Sequence, residues 1–419
     1  MTAWLKQRWG WIALVLLAAI YYPFFGKGFE GITVYSAAAD CVWRGEVMLP
    51  CAPPFSYEPA LAALALPFVF IPAALHKVVW YAICVASLVV TVRFAEAMGE
   101  RLYPGVTRGE NLVWLRGASL LLCGKQILEV LNYQAYEAPA LAMLTVGMWA
   151  LTVGRESAGG FWLGVGAAVR ATPVIYLPYL LLKRRYLAAL AFLAAFFALS
   201  LLPDLISALR GGHVGYLYDW LRQVAGPGIL PGSPADLHFL SAWASPTSLG
   251  NQSLRGLVNR FATEPVLGLS PRLILFTVYG AFGFVLAALL LISPRDKAYA
   301  AIDGAILLIA MLALSPMTSR YHFVLVLPAV VLVVAAVIGD RRMRLFGGVV
   351  LAASFMLLTG TSNDLTGQRV AEFAYRYGFM TEGAIVLLVA FAAMLRIWPP
   401  PGIAANAVAL PAREAAQYR

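Results

Sequence analysis

The residues best suited to chemistry in this chain of 419 residues are acids and tyrosines between residues 27 and 58. A carboxylate placed beside a substrate can act as a general base and remove the proton of an attacking hydroxyl group. One of the acids of this segment could be a general base, and its special residues are Glu30, Tyr35, Asp40, Trp43, Arg44, Glu46, Tyr57 and Glu58. The alternative is a solvated loop in which these carboxylates have no catalytic part.

Three cationic or imidazole side chains interrupt otherwise apolar sequence. Arg170 precedes Pro173, and Arg320 and His322 follow a Ser-Pro pair. A charge within an apolar span is costly and therefore indicates function, and a guanidinium binds phosphate through paired hydrogen bonds. We therefore expect Arg170, Arg320 and His322 to bind a phosphate group.

Each of these basic residues also has an ordinary structural interpretation. Arg170 could instead pair with an acid of another span, for which the candidates are Glu129, Glu137 and Asp303. Arg320 could extend to the membrane surface beside a hydrogen-bonded His322. Lys125 and Glu129 are four residues apart and could pair with each other on one helix.

Two of the four cysteines, Cys41 and Cys51, fall within the 27–58 segment. A disulfide bond between them would persist in an oxidising compartment, and the alternative is a pair of free thiols. Because no histidine or second cysteine pair stands nearby, we expect no metal site. The sequence also has no Walker motif and no dinucleotide-binding glycine pattern, which argues against nucleotide-driven chemistry.

The composition defines the setting in which these residues act. Hydrophobic residues make up 61% of the chain and charged residues only 12%, whereas soluble domains carry about 25% charged residues. This excludes a disordered chain and an ordinary soluble enzyme, and it predicts an all-α polytopic membrane protein. The net charge of +10 is assigned to cytoplasmic loops and anionic lipid rather than to nucleic acid.

Apolar stretches long enough to span a bilayer recur along the chain, and we expect about twelve of them. They are 11–26, 59–75, 78–94, 112–130, 135–153, 159–182, 186–203, 271–293, 299–315, 323–339, 345–362 and 381–398. A short helix is expected over residues 35–43, on the membrane surface. Residues 1–398 form one membrane domain, and residues 399–419 form a mobile cytoplasmic tail.

The orientation follows from the short basic turns, which favour the cytoplasmic side. These turns are residues 183–185, 295–297 and 341–344. Both termini are then cytoplasmic, and the long segments 27–58 and 204–270 lie outside. The segment 95–111 conflicts with this scheme, because it carries Arg101 and Arg108 and yet falls outside by counting spans.

Six sequence elements, in this order between about residues 28 and 335, resemble glycosyltransferase family 87, whose members are GT-C type membrane enzymes. They are Val34-Tyr35-Ser36-Ala37-Ala38 with Gly45, Phe55 to Pro59, Asn132-Tyr133-Gln134, Gly164 to Pro173 with Lys183-Arg184-Arg185, Asn251 to Gly256, and Ser315-Pro316 to His322. Counting back from Tyr35, the family's acid falls on Gly31. The base is then Glu30 in a shifted register, or Asp40, or it is lost. Glu58 stands where the family has proline, and Arg170 where it has lysine.

The resemblance implies a GT-C helical bundle in the plasma membrane with its active site facing outside. It implies transfer of a mannose- or arabinose-like sugar from a polyprenyl-phosphate donor to a lipid or glycan acceptor, without a cofactor. Glu30 or Asp40 would take the acceptor proton, and Arg170, Arg320 and His322 would hold the donor phosphate. The implied pocket residues are Tyr35, Tyr57, Glu58, Gln134 and Asn251.

Two other functions are compatible with the sequence. A transporter or flippase of a lipid-linked sugar would also have many spans, although such proteins usually show inverted repeats and a binding site at mid-membrane. A non-catalytic relative is the third reading, because the family's acid is displaced.

Overall fold

A computed structural model describes residues 19–52, 55–226, 247–262 and 269–403. The described residues fold into helices and the turns between them, with no β-strand. The helices are α1 Gly31–Arg44, α2 Met48–Cys51, α3 Pro59–Leu64, α4 Pro67–Phe70, α5 Ala73–Leu102, α6 Gly109–Leu122, α7 Gly124–Asn132, α8 Glu137–Thr152, α9 Glu156–Arg170, α10 Tyr176–Leu182, α11 Tyr186–Ser200, α12 Leu202–Ala208, α13 Tyr216–Trp220, α14 Leu254–Phe261, α15 Pro271–Ile292, α16 Ala300–Leu314, α17 Leu327–Gly339, α18 Met343–Phe355, α19 Asn363–Thr366, α20 Gln368–Tyr377 and α21 Phe379–Arg396.

Short 3-10 or π segments join several of these helices, at Tyr22–Phe24, Thr172–Ile175, Leu221–Ala225, Lys297–Tyr299, Arg320–Val326 and Met356–Gly360. The helix expected over residues 35–43 is confirmed as α1. Most of the first predicted span, residues 11–18, lies outside the described residues, as does the tail beyond residue 403. Within the tail, Gly402 packs closely against the backbone of Arg101 and Leu102.

Seven stretches in the described part of the chain are helical, long and apolar enough to cross a membrane. They are Ala73–Leu102, Tyr186–Ala208, Pro271–Ile292, Lys297–Leu314, Arg320–Gly339, Met343–Gly360 and Phe379–Ile403. The fold is therefore that of a multi-pass membrane protein. The predicted count of twelve spans is not confirmed, because several apolar helices are shorter than a full crossing.

The predicted boundary between the second and third spans is wrong. Residues 59–72 form only α3 and α4, since prolines at 59 and 67 begin new helices and cannot continue old ones. Helix α5 then runs without a break through His76 and Lys77, the two residues that separate the predicted spans 59–75 and 78–94. Its 30 residues carry the chain to Tyr103, which packs against Gly339 at the end of α17. The segment 95–111 thus lies beside the basic turn 341–344, which removes the conflict in orientation.

The predicted span 159–182 is also wrong, because it consists of two helical runs in opposite directions. Arg170 at the end of α9 bonds to Glu137 at the start of α8, whereas Arg185, just after α10, bonds to the Leu151 carbonyl near the end of α8. The chain reverses at Ala171, whose φ of 55° lies in the left-handed region. Pro173 follows directly and prevents the helix from continuing.

These contacts define two ends of the bundle. The basic end contains the turns 183–185, 295–297 and 341–344, and a methyl group built on Gly154 would contact the Lys297 side chain there. The site end contains the starts of α1 and α8 and the end of α9. Polar side chains from distant parts of the sequence meet at the site end.

Helices α9 and α11 pack with their backbones in direct contact. A methyl group added to Gly160 would overlap the carbonyl oxygen of Ala188, and one added to Gly164 would overlap that of Phe192. The four-residue spacing puts both glycines on one face of α9. Small residues at such a stripe allow close approach of helices in a membrane.

Gly160→Ala should therefore lower the free energy of unfolding by about 1–3 kcal/mol, because the new methyl group forces α9 away from α11. The measurement is reversible unfolding in mixed micelles. Gly280→Ala is the matched control, since a Cβ on this helical glycine of α15 meets nothing within 4 Å. The control should be unchanged or slightly more stable, and an equal loss in both variants would contradict the packing argument.

Candidate functional site

A buried carboxylate is the centre of the site end. Glu137 Oε1 accepts a hydrogen bond from Arg170 Nη1 at 2.9 Å and lies 3.0 Å from His322 Nε2. All three residues are buried. We call this group the Glu137 junction. It joins the start of α8, the end of α9 and the 3-10 segment that precedes α17, so one oxygen atom fixes three distant parts of the chain.

Further hydrogen bonds orient the two partners of Glu137. The Ser319 backbone N–H donates to His322 Nδ1 at 2.7 Å, so Nε2 carries the hydrogen that His322 donates to Glu137. Arg170 Nε donates to Thr172 Oγ1 at 3.0 Å, across the reversal of the chain. The second oxygen, Glu137 Oε2, is buried and has no partner among the described residues. The sequence had left Arg170 open between phosphate binding and an ion pair, and the structure shows the pair with Glu137.

A cluster of aromatic rings covers the Glu137 junction. Tyr35 of α1 packs against Tyr57 with ring centroids 5.5 Å apart, and Tyr57 packs against Tyr136 at 4.9 Å. Trp80 of α5 closes the other side of Tyr35 at 5.5 Å. Tyr321 lies with its ring 4.4 Å from that of His322. Tyr35 and Tyr57, both predicted to line the pocket, are therefore brought together beside Arg170 and His322.

Glu58 lies immediately before α3 and is almost fully buried, with 7% of its surface exposed. Burial raises the pKa of its carboxyl to about 8, against the opposing effect of the Arg170 charge. A carboxyl in this state exchanges a proton near neutral pH. Burial in the fold therefore raises the proton affinity of Glu58.

Gln134 and Asn251, both predicted as pocket residues, are buried and hold backbone segments in place. Gln134 Oε1 accepts a hydrogen bond from the Ile32 N–H at 3.2 Å, and the Gln134 carbonyl accepts one from the Trp80 indole at 2.8 Å. Asn251 Oδ1 accepts from the Thr318 N–H at 3.2 Å, and its Nδ2 donates to the Pro316 carbonyl at 3.2 Å. Gln134 thus fixes the start of α1, and Asn251 fixes the loop before Arg320.

The two candidate bases occupy different environments on α1. Glu30 is the exposed residue that precedes the helix, and its carboxylate forms no ion pair with another described residue. Asp40 is half-buried and pairs with Arg44 Nε at 3.0 Å. The two positions are ten residues apart, which corresponds to about 15 Å of helix at 1.5 Å per residue. Cys41 and Cys51 form a disulfide bond with Cα atoms 6.1 Å apart, at the Asp40 end of α1.

Arg320 points away from the Glu137 junction and into a separate cleft. Its Nη2 donates to the Tyr133 hydroxyl at 3.2 Å, and its Nη1 lies 4.0 Å from Glu129 Oε1. Lys125 Nζ lies 3.0 Å from the same Glu129 oxygen. The three predicted phosphate-binding side chains are thus divided between two places, with Arg170 and His322 buried on Glu137 and Arg320 partly open to solvent.

The loop that carries Glu30 passes over the same tyrosine. The Gly28 N–H donates to the Asn132 side chain at 3.0 Å, and a Cβ on Gly28 would lie 3.2 Å from Tyr133 Cζ. Tyr133 therefore touches the Glu30 loop on one side and Arg320 on the other. Tyr133 thus connects the loop that bears Glu30 with the cleft that holds Arg320.

Sequence reasoning missed the cleft residues that follow position 335. Ser362, Tyr375 and Met380 line the cleft together with Lys125 and Arg320. The only local signal was the four-residue spacing of Lys125 and Glu129, which predicts a helical pair and not a cleft. Among the described residues, no group of three or more histidine, cysteine or acidic side chains could hold a metal ion.

Comparison with known proteins adds an independent line of information. The model of glycosyltransferase family 87 matches residues 55–316, well over half of the chain. A Mycobacterium tuberculosis protein named polyprenol-phosphate-mannose-dependent alpha-(1-2)-phosphatidylinositol pentamannoside mannosyltransferase is 24% identical over 308 residues. The alignment covers 73% of this chain but only 63% of that relative, so the chain spans less than two thirds of its length. No solved structure matches the chain.

Glu137→Gln should lower the free energy of unfolding by about 3 kcal/mol, because it leaves the Arg170 charge buried without its carboxylate. Unfolding in mixed micelles measures the effect. Exposed Glu110 provides the control, and Glu110→Gln should change stability by less than about 0.5 kcal/mol. The double variant Glu137→Gln/Arg170→Gln should lose less than the sum of the two single variants, and strict additivity would show that the pair is not coupled.

The raised pKa of Glu58 predicts a pH dependence of stability. From about pH 4.5 to about pH 8 the folded protein retains a proton that the unfolded chain has released, so stability falls as the pH rises through this window and levels off above it. Glu58→Gln removes this loss of stability with rising pH, because glutamine does not titrate. Its midpoint unfolding temperature should decline less than that of the unsubstituted protein across the window, and parallel curves would rule out the raised pKa.

Proposed function

Because this chain belongs to glycosyltransferase family 87, we propose that it is an integral membrane glycosyltransferase that uses a polyprenyl-phosphate sugar as donor. The relative from M. tuberculosis is named as a mannosyltransferase, so mannose is the first sugar to test. The acceptor in this proposal is a lipid or glycan hydroxyl. In this proposal the acceptor approaches from the side of the 27–58 or the 204–270 segment.

One observation carries the proposal: Tyr133 contacts both Arg320 and the loop that bears Glu30. Transfer from a lipid phosphate needs a base for the acceptor hydroxyl and a cation for the departing phosphate. In the proposed reaction Glu30 removes the hydroxyl proton as the oxygen bonds to the anomeric carbon. The bond from that carbon to the phosphate oxygen breaks, and the lipid phosphate leaves with its electron pair toward Arg320.

Arg170 and His322 act in this proposal through Glu137 and do not touch the phosphate. Both already donate to one carboxylate oxygen inside the protein. The His322 bond fixes the 3-10 segment that begins at Arg320, and so determines where the Arg320 guanidinium projects. Arg170 and His322 are therefore positioning residues. Tyr35 of α1 and Tyr57 pack against each other and form a tyrosine wall beside them.

The site end faces the outside of the plasma membrane in this proposal. The three short basic turns lie together at the opposite end of the bundle, and positively charged turns favour the cytoplasm. Gly402 packs at the basic end as well, against the backbone of Arg101 and Leu102. A disulfide bond between Cys41 and Cys51 at the site end agrees with an oxidising exterior.

Glu30→Gln should lower kcat by at least about 100-fold and leave the donor KM unchanged, because the base acts on the acceptor and not on the donor. The assay follows acceptor-dependent release of polyprenyl phosphate by the purified full chain. Asp40→Asn is the comparison, and this variant should retain turnover since Asp40 is already paired with Arg44.

Loss of turnover in Asp40→Asn with normal turnover in Glu30→Gln would assign the base to Asp40. Full activity of both variants would reject both carboxylates as the base. Movement of intact lipid-linked sugar across vesicles, without acceptor-dependent release, would identify a transporter instead. Absence of both release and movement would favour a non-catalytic relative.

A further inference from the structure

We propose that the cleft beside Arg320 binds the sugar-phosphate headgroup of the lipid-linked donor, with Lys125 as a second phosphate ligand and Gln126 and Glu129 as acceptors for sugar hydroxyls. We call this cleft the Lys125 pocket, and it is lined by Lys125, Gln126, Glu129, Arg320, Ser362 and Tyr375 among others. The inference rests on the proposed function. It adds where the headgroup binds and which residues would accept hydrogen bonds from the sugar.

Two cations converge in the Lys125 pocket. Lys125 Nζ and Arg320 Nη1 lie 3.0 and 4.0 Å from the same oxygen of Glu129. Both side chains are partly exposed, at 24% and 36%. Glu129 and the exposed Asp364 together supply two carboxylates for these two cations, so a further anion binds here by replacing the negative charge of Asp364. A phosphate ester supplies that charge, and both cation types bind phosphate oxygens well.

An acidic side chain already occupies the mouth of the pocket. Asp364 of α19 bonds to Lys125, although 62% of the Asp364 side chain is exposed. It comes from a part of the chain 239 residues away and has little burial to hold it. Its carboxylate therefore marks the place where an anion binds, and an incoming phosphate would displace it from Lys125.

The floor of the pocket carries two acceptors that a phosphate cannot satisfy. Gln126 Oε1 and Glu129 Oε2 are buried and have no hydrogen-bond partner among the described residues. The Gln126 amide nitrogen donates to the Leu358 carbonyl at 3.3 Å and to Thr359 Oγ1 at 3.1 Å, which fixes the direction of the amide oxygen. A buried acceptor without a donor costs about 1–3 kcal/mol. Sugar hydroxyl groups are donors and would satisfy both.

Cations beside unsatisfied acceptors fit one class of ligand. Inorganic phosphate would use only the cations, and a neutral sugar only the acceptors, whereas a sugar phosphate ester uses both. The same chemistry is present in a soluble sugar phosphate and in a lipid-linked donor. We assign the lipid-linked form, because the proposed reaction uses a lipid-linked donor and because Arg320 and the loop that bears Glu30 both contact Tyr133.

Binding of defined probes to the purified full chain tests the inference without turnover. Farnesyl phosphate, farnesyl phosphomannose, farnesol, inorganic phosphate and mannose 1-phosphate are titrated by calorimetry. We expect farnesyl phosphomannose to bind more tightly than farnesyl phosphate, and farnesol not to bind. Equal affinity for mannose 1-phosphate and the lipid-linked form would overturn the assignment to the donor.

Three variants locate the binding. Lys125→Gln should weaken farnesyl phosphate binding at least tenfold, whereas the control Lys297→Gln, at the basic end, should leave it unchanged. Asp364→Asn should tighten binding about threefold, because it removes the competing carboxylate. Gln126→Leu should abolish the advantage of farnesyl phosphomannose over farnesyl phosphate.

If Lys125→Gln and Asp364→Asn both bind farnesyl phosphate with the affinity of the unsubstituted protein, the proposed pocket is wrong. Asp364 is largely exposed, so its variant keeps the test valid if Lys125→Gln fails to fold. Turnover of the unsubstituted protein separates the two proposals. Normal transfer with unchanged binding in these variants would reject the pocket alone, and pocket-dependent binding without transfer would reject the proposed reaction alone.

Discussion

The fold at the site end depends on one buried carboxylate. One oxygen of Glu137 accepts hydrogen bonds from Arg170 and His322, which lie 33 and 185 residues further along the chain. In an apolar bundle an isolated charge costs several kcal/mol, so each member of the group needs the others. The direction of α9 at its reversal, the start of the 3-10 segment at Arg320 and the tyrosine wall all follow from this arrangement.

A second buried pair plays the corresponding part at the basic end. Lys183 Nζ lies 3.3 Å from Asp303 Oδ2 and donates to the carbonyls of Leu290 and Ser293 at 2.8 and 2.7 Å. Apolar packing alone tolerates sliding between helices, because one aliphatic contact resembles the next. A directional polar contact at each end removes that freedom. The long helices between the ends then need only apolar side chains and, on α9, glycines.

The helical, multi-pass character of the chain could be predicted from the sequence, because apolar length and low charge depend only on composition. The predicted span boundaries were wrong at Pro67, which begins a new helix, and at His76 and Lys77, which lie inside one. A long helix can carry polar residues where neighbouring groups contact them. The sequence offered Glu137 as one of three partners for Arg170. It gave no sign of Asp364 beside Lys125, because such contacts depend on how helices pack and not on local spacing.

The match to the family model ends at residue 316, whereas the outer wall of the Lys125 pocket comes from Ser362, from Tyr375 of α20 and from Met380 at the start of α21. The family model therefore covers one side of this cleft and ends before the other. Substitutions in the later side would change the shape of the cleft, while Glu137, Arg170 and the glycines of α9, all within the matched range, hold the bundle together.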